Sequence, residues 1–253
     1  MNKIAFLVLF FFQIVNAQNV KRKLIWEENF NGKQLNQTIW NFENGDGCPD
    51  LCGWGNNENQ IYNQQNQYLK NGKLFIEATL ENGIYKSSKI TTQNKKSFQY
   101  GYIEIKAQIP LGKGLWPAFW MLGNNIKTVG WPKCGEIDIL EYVGREPNVI
   151  FTSLHTDDSH GNTVNTKKTE NKSIEKGFHL YAIDWNKDKI SFFIDNNLVY
   201  TFQPENKSES IWPYNQPFYF IINLAIGGNF GGPTIDNTIF PQKFVVDYIK
   251  VFE

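Results

Sequence analysis

The chain has 253 residues, and its 25 acidic and 25 basic side chains give a formal net charge of zero at pH 7. This balance argues against a nucleic-acid-binding protein, which normally carries a basic excess, and against a polyanionic substrate held by bulk charge. The eight Trp of this aromatic-rich chain indicate core filling in a sheet protein, flat platforms for sugar rings, or a division between the two roles.

Residues 1–17 predict a secretory signal peptide. A basic start precedes the apolar run Ile4–Val15, and Ala17 completes the pattern expected before a cut ahead of Gln18. The run is short for a membrane span, although a retained N-terminal anchor is the alternative. We therefore expect a secreted protein, extracellular or periplasmic, whose residues 18–253 form a single domain.

Two of the three cysteines, Cys48 and Cys52, lie four residues apart in a Gly/Pro-rich turn. Export permits a disulfide between them, and two free thiols are the alternative. A zinc site is not expected, because no second pair of ligands follows. We interpret Cys134 as a small buried residue rather than a nucleophile.

Strand-like runs with turn signals between them recur along the chain, and helical periodicity is nearly absent. Many short strands separated by Gly and Asn turns predict an all-β antiparallel sandwich. The predicted strands are Lys73–Thr79, Gly101–Ile109, Ala118–Leu122, Glu136–Tyr142, Val149–His155, His179–Trp185, Lys189–Ile194, Leu198–Phe202, Phe218–Leu224 and Phe244–Phe252.

Trp116 and Trp120 precede the fourth of these runs and lie four residues apart. In a regular strand they share one face, because side chains alternate with a period of two. On a cleft face they would form a stacking wall for sugar rings, and on the other face they would fill the core.

Three carboxylates follow in the segment 136–141. Glu136 and Asp138 share one face of a strand, whereas Glu141 joins them only if the strand contains a β-bulge. Like charges in a confined site cannot all ionise at their usual pKa, so one carboxyl keeps its proton while another stays ionised. Glycoside hydrolysis needs this division of roles. An ordinary amphipathic strand with solvated acids is the alternative.

The segment Glu136–Glu141 resembles the E-x-D-x-x-E signature of glycoside hydrolase family 16, and in particular its bacterial laminarinases, which are endo-1,3-β-glucanases. The resemblance covers nearly the whole mature chain and implies a β-jelly-roll of two curved antiparallel sheets with an open cleft on the concave face. It assigns Leu140 as the extra residue of a bulged strand. Other matching segments, in order, are Trp26–Gly32, Cys52–Glu58, Tyr100–Lys106, Gly114–Met121, Trp131–Glu136, Phe178–Trp185, Asn223–Gly228 and Val246–Val251.

The resemblance also implies a retaining mechanism that needs no cofactor. Glu136 would be the nucleophile, Glu141 the acid and then the base, and Asp138 would tune the nucleophile between them. Retention implies carboxyl groups about 5–5.5 Å apart.

Further positions match the family with less weight. Lys89 stands where relatives often have a sugar-contacting Arg, and it lacks that residue's forked donor geometry. His155 would hydrogen-bond near the point of cleavage. The substrate-binding residues implied in this way are Asn56, Glu58, Lys89, Trp116, Trp120, Trp131 and His155.

A structural calcium is implied on the convex face. Its ligands would be the backbone oxygens of Glu28 and Gly72 and the carboxylate of Asp247, which are hard oxygen donors of the kind that calcium prefers. The alternative is that Asp247 only caps a strand end.

The expected function is hydrolysis of internal bonds in a neutral β-1,3-glucan by a monomer without a membrane span or a nucleic-acid partner. The alternatives are the same fold acting on mixed-linkage β-glucan or on a red-algal galactan (agar, porphyran or carrageenan), and a β-glucan-binding module without catalysis. The presence of both glutamates argues against the last of these.

Overall fold

Strands dominate the computed structural model, which describes residues 22–253. The predicted signal peptide, residues 1–17, lies outside these described residues. Within them, no helix has the length and apolar character needed to cross a bilayer. The strands are β1 (Leu24–Glu28), β2 (Asn41–Glu43), β3 (Ile61–Tyr62), β4 (Gln67–Leu69), β5 (Leu74–Glu81), β6 (Ile84–Ser87), β7 (Lys89–Thr91), β8 (Ser97–Phe98), β9 (Gly101–Gln108), β10 (Leu115–Gly123), β11 (Glu136–Tyr142), β12 (Val149–His155), β13 (Lys167–Glu170), β14 (His179–Trp185), β15 (Ile190–Ile194), β16 (Asn197–Phe202), β17 (Phe218–Ile226) and β18 (Gln242–Phe252).

The strands form two sheets. The first has the order β16-β15-β14-β9-β18-β5-β6-β3, with β1 beside β18 and β4 beside β5. The second has the order β13-β12-β11-β10-β17-β7-β2, with β8 beside β17. Every pairing is antiparallel except the two-residue contact of β3 with β6. Short helices lie in the loops: α1 (Ile126–Val129), α2 (Gly228–Gly231) and the 3-10 turns Cys52–Gly55, Gln64–Asn66 and Asn237–Ile239.

The predicted all-β sandwich is confirmed, and each predicted strand overlaps a strand of the structure. The differences lie at the ends and among short strands. β10 begins at Leu115 rather than Ala118, so that Trp116 and Trp120 both belong to it. Short strands such as β2 and β7 were not predicted, because two or three residues carry too little periodicity to be recognised.

The core lies between the two sheets and receives every second side chain of many strands. In β5, Leu74, Ile76 and Ala78 are fully buried, whereas Phe75 and Glu77 between them reach solvent. Burying a large apolar side chain in this way stabilises the fold by about 1.5–3 kcal/mol. The Trp residues divide as the sequence suggested: Trp40, Trp185 and Trp212 are core residues, and Trp26 packs against the core.

A β-bulge interrupts β11 between Asp138 and Glu141, and it decides which face Glu141 occupies. Across the β10 pairing, Asp138 lies opposite Trp120 and Leu140 opposite Phe119, so Ile139 is the residue without a partner. In the β10 pairing the extra residue is therefore Ile139, whereas in the β12 pairing the register shift covers both Ile139 and the predicted Leu140. Both side chains are buried in the core, and burying two consecutive apolar residues is the reason that the alternation resets and Glu141 returns to the other face.

Candidate active site

The outer face of the second sheet, here called the cleft face, carries three rows of residues that lie directly opposite one another across neighbouring strands. Opposite residues of an antiparallel pair share a face and are close neighbours. The first row is Glu43, Lys89, Asn223, Ala118, Glu141 and Phe151; the second is Asn41, Thr91, Ile221, Trp120, Asp138 and Ser153; the third is Tyr219, Leu122, Glu136 and His155. The three acids therefore occupy three consecutive rows on one face.

Two indole N–H groups orient the outer acids. Trp131 Nε1 donates to Glu136 Oε2 at 2.8 Å, and Trp116 Nε1 donates to Glu141 Oε1 at 3.0 Å. Trp131 lies on the loop before β11 and is 46% exposed, so it stands at the rim of the face. Each donor fixes one carboxylate oxygen and leaves the other available for a substrate.

His155 approaches the remaining acid from β12. Its Nε2 atom lies 3.1 Å from Asp138 Oδ2 and 3.7 Å from Glu136 Oε1. Asp138 is only 2% exposed. Among the described residues, Asp138 Oδ2 is buried without a well-formed hydrogen bond. A buried polar atom without a partner needs an explanation, and a catalytic role is one.

Burial raises the pKa of all three carboxyl groups. Burial, and next the charge of Asp138, raise the pKa of Glu136 to about 8, while His155 and the Trp131 N–H oppose the shift. Burial also raises the pKa of Asp138. Burial and the charge of Asp138 hold the pKa of Glu141 well above its usual value. The site therefore keeps at least one proton at neutral pH, as a general acid requires.

A hydrogen-bonded chain fixes Trp120 beside the acids. Trp120 Nε1 donates to Asn223 Oδ1 at 2.7 Å, and Asn223 Nδ2 donates to the Tyr62 hydroxyl at 3.1 Å. That hydroxyl in turn donates to Glu58 Oε2 at 3.0 Å. Gln60 and Asn56 also donate to Glu58, at 2.6 and 3.4 Å. The predicted residues Trp120, Asn56 and Glu58 thus belong to one network.

Sequence reasoning missed the middle of this network. Tyr62 and Asn223 are buried polar residues 161 positions apart, and neither has a local pattern that marks it as functional. Pairing of β17 with β7 and β10 is what places Asn223 on the cleft face. The one local signal is the segment Asn223–Gly228, which resembles the family as a whole and does not mark Asn223 individually.

Lys89 lies in the first row, at the far side from the acids. Its Nζ atom is 2.9 Å from Glu43 Oε2 and 4.3 Å from the centre of the Trp54 ring. Trp54 follows a loop that the Cys48–Cys52 disulfide closes, which settles the alternatives left open for these two cysteines. Trp54 and Glu43 are cleft residues that sequence reasoning did not single out, although Trp54 lay inside a matched segment.

Aromatic residues extend the face beyond the acids. Trp116 contacts Phe230 of α2 edge to face, with ring centres 5.3 Å apart, and Trp131 contacts His160 in the same manner at 5.4 Å. His160 is exposed, as expected for a loop residue. All three Trp residues predicted for the substrate site, Trp116, Trp120 and Trp131, therefore lie on the cleft face or its rim.

Within residues 22–253, two places offer ligand atoms to a cation. Glu136, Asp138 and His155 offer ligand atoms within 4.8 Å of one another, but these are the groups of the acid array itself. Strand pairing brings the three predicted calcium ligands to the same part of β18. Glu28 pairs with Ile249, two residues after Asp247, and Gly72 lies two residues before Leu74, which pairs with Val246.

The Asp247 carboxylate of the predicted calcium site already has cationic partners. Its oxygens lie 3.5 Å from Lys73 Nζ and 3.0 Å from Lys106 Nζ. The charge of this carboxylate is thus balanced by protein groups, and a calcium ion would compete with these lysines for it. The site stays a prediction.

Comparison with known proteins places the chain among carbohydrate-active enzymes. The family model described as "Glycosyl hydrolases family 16" matches residues 54–250. The crystal structure of a laminarinase from Flavobacterium sp. UMI-01 is 68% identical, with a TM-score of 0.90 over 91% of this chain and 100% of that chain. The laminarinase catalytic domain from Thermotoga maritima MSB8 is 36% identical, with a TM-score of 0.87 over 92% and 98%. A beta-glucanase from Rhodothermus marinus is 36% identical over 91% of this chain and 85% of its own length.

Proposed function

We propose that this chain, which belongs to glycosyl hydrolase family 16, is a retaining endo-1,3-β-glucanase that cleaves internal bonds of laminarin-type glucans. The observation that carries the proposal is the acid array itself. The bulge in β11 brings Glu141 to the face that carries Glu136 and Asp138, and a separate indole N–H fixes each glutamate.

The array supplies the two roles of a retaining glycosidase. In the first step the Glu136 carboxylate bonds to the anomeric carbon, while the bond from that carbon to the glycosidic oxygen breaks and Glu141 transfers its proton to that oxygen. In the second step a water attacks the anomeric carbon, Glu141 takes the water's proton, and the bond to Glu136 breaks. Both glutamates end as they began.

Asp138 and His155 influence the pKa of the two glutamates during this cycle. The ionised form of Asp138 raises the pKa of both glutamates, and His155 acts in the opposite direction on each of them. His155 therefore favours the ionised form of Glu136, which is the form that must attack. When Glu136 becomes an ester, its charge disappears, and the repulsion that favoured a proton on Glu141 weakens, which suits its change from acid to base.

A neutral glucan suits the cleft face better than a sulfated galactan. The rows of the cleft face carry aromatic, amide, hydroxyl, carboxylate and aliphatic side chains, and the lysine in these rows, Lys89, is paired with Glu43. We further propose that the predicted signal peptide directs export, and that calcium bound at Asp247 stabilises the fold without taking part in the reaction.

The test is hydrolysis of laminarin, mixed-linkage β-glucan, agarose and carrageenan by the protein and by Glu136→Ser, with the released anomer followed by NMR. Glu170→Ser, an exposed glutamate at the end of β13, is the matched control. We expect rapid release of the β-anomer from laminarin by the protein and the control, and none by Glu136→Ser. Cleavage of a galactan alone would overturn the substrate, and initial release of the α-anomer would overturn the mechanism.

A further inference from the structure

The ion pair between Glu43 of β2 and Lys89 of β7 lies on the cleft face at a distance from the reacting groups. Lys89 and Glu141 belong to the same row and are separated by three strand spacings, which is about 14 Å between backbones. A polysaccharide that crosses the strands along this row reaches both positions. The pair is thus placed to act on sugar units away from the bond that is cleaved.

Lys89 is almost enclosed by its partners. It is 9% exposed, its Nζ atom is 2.9 Å from Glu43 Oε2, and the same atom lies 4.3 and 5.4 Å from the ring centres of Trp54 and Trp120. Ammonium groups favour the faces of aromatic rings at such distances. The charge is therefore held between two indoles and a carboxylate, and it is not free to project toward a ligand.

Trp54 is fixed in a conformation that its residue type rarely adopts. Its φ is 53° and its ψ is 28°, in the left-handed region that is costly for a bulky side chain. Besides the contact with Lys89, its ring packs 5.4 Å from the Tyr62 ring. Since surrounding contacts must maintain such a backbone, Lys89 contributes to holding Trp54 as a wall of the cleft.

The charges around Lys89 sum to a neutral or negative site. Glu43 contacts its ammonium group directly, and Glu58 is close enough for the charge of Lys89 to lower the pKa of that carboxyl against the effect of burial. Glu43 is the more accessible partner, with 30% of its side chain exposed against 11% for that of Lys89. An anionic group on a bound sugar would meet the carboxylate before it met the ammonium.

We propose that Glu43 is a specificity residue that masks the charge of Lys89, so that the part of the cleft between Trp54 and Trp120 accepts a neutral sugar and rejects a sulfated one. This inference rests on the proposed glycanase function and names a determinant of its substrate class. Rejection of unwanted ligands by a placed like charge is a common source of specificity. Lys89 itself is a positioning residue for the two indoles.

The experiment compares one 1,3-β-glucan oligosaccharide in neutral and in sulfated form. The value of kcat/KM is measured on both for the protein, for Glu43→Gln, and for Glu43→Gln combined with Lys89→Met. Glu81→Gln is the matched control, because it makes the same charge change in an exposed ion pair with Lys86. Thermal unfolding of each variant verifies that it is folded.

Glu43→Gln is expected to raise the ratio of kcat/KM on the sulfated glucan to that on the neutral glucan by about tenfold, which corresponds to about 1.4 kcal/mol. The added Lys89→Met substitution should cancel the gain, and high salt should reduce it. Glu81→Gln should leave the ratio unchanged. A ratio that Glu43→Gln does not change, or that Glu81→Gln raises equally, would overturn the proposal.

The same experiment distinguishes failure of the proposed glucanase function from failure of the charge-masking proposal. If the protein hydrolyses neither form, the glucanase proposal is wrong, and binding of the same two oligosaccharides is then measured by Trp fluorescence. A tenfold gain in the relative affinity of Glu43→Gln for the sulfated form would still support charge masking. Equal relative affinities in the protein and in Glu43→Gln would refute it. Lys89→Gln, which also removes the positive charge, replaces Lys89→Met in the double variant if the latter does not fold.

Discussion

Keeping two buried acids and the half-buried Glu136 on one face costs folding free energy, and Glu136→Gln should recover part of it. Burial and the neighbouring Asp138 raise the pKa of Glu136 from 4.5 to about 8. Gln has the same shape and can still accept the hydrogen bond from Trp131 Nε1, but it carries no charge. The variant should therefore be more stable than the parent protein at neutral pH, although it is inactive.

The sign and the size follow from proton linkage. The folded protein holds the Glu136 proton more tightly than the unfolded chain does, so the free energy of unfolding falls as pH rises from 4.5 to about 8. Below pH 4.5 both states are protonated, and Glu and Gln should give equal stability. Each pH unit inside this window is worth 1.36 kcal/mol, so the gain at pH 7 should approach about 3 kcal/mol.

Urea unfolding at pH 4, 5.5, 7 and 8 measures this dependence directly. The free energy gained by Glu136→Gln should be near zero at pH 4 and should increase with pH up to about pH 8. Glu170→Gln, on the exposed end of β13, controls for the general effect of losing one negative charge and should give no such trend. A gain of equal size at every pH, or a loss of stability at pH 7, would refute the electrostatic explanation.

Three further predictions concern the acid, the cleft floor and calcium. Trp116→Phe removes the N–H that lowers the pKa of Glu141, so the alkaline limb of the profile of kcat/KM against pH should move to higher pH; an unmoved limb would contradict this role. Ala118 lies between Asn223 and Glu141 in the first row of the cleft face. Ala118→Leu should therefore place a larger side chain where the substrate binds and lower kcat/KM on the order of a hundredfold. Kinetics like those of the parent protein would show that the substrate does not contact this position. If calcium binds at Asp247, a concentration of 100 times its dissociation constant should stabilise the fold by about 2.7 kcal/mol, and Asp247→Asn should abolish the rise in Tm; equal Tm values with calcium and with EDTA would exclude the site.

The acids and the aromatic residues could be predicted because their signals are local. Glu136 and Asp138 share a face through the two-residue period of any strand. Trp116 and Trp120 share one for the same reason, once they lie in the same strand. The residues alone allow either a regular strand, with Glu141 on the opposite face, or a bulged strand, with Glu141 beside the other two acids. Only the resemblance to the family favours the bulged strand. The position of the bulge at Ile139 and Leu140 depends on which side chains are buried in the core of the sandwich.

The remaining site residues could not be predicted individually, because their roles depend on pairing between distant strands. Glu43 reaches Lys89 only because β2 pairs with β7, two short strands without recognisable periodicity. Asn223 reaches Trp120 because β17 is the neighbour of β10. A sequence of 253 residues allows many strand orders, and local pattern does not select among them.

The order of the second sheet separates the chemistry from the selection of substrate. The acids lie on β11, which has a paired strand on each side, so neighbouring backbones fix their positions. Trp54 and His160 lie on loops, and Glu43 lies on the edge strand β2, where fewer contacts oppose a substitution. A functional group is held more accurately on a central strand than on a loop. Changes at Glu43, Trp54 and His160 should therefore alter which glycan is bound with little loss of stability, whereas changes on β11 and at the Trp131 N–H that holds Glu136 should impair hydrolysis of every substrate alike.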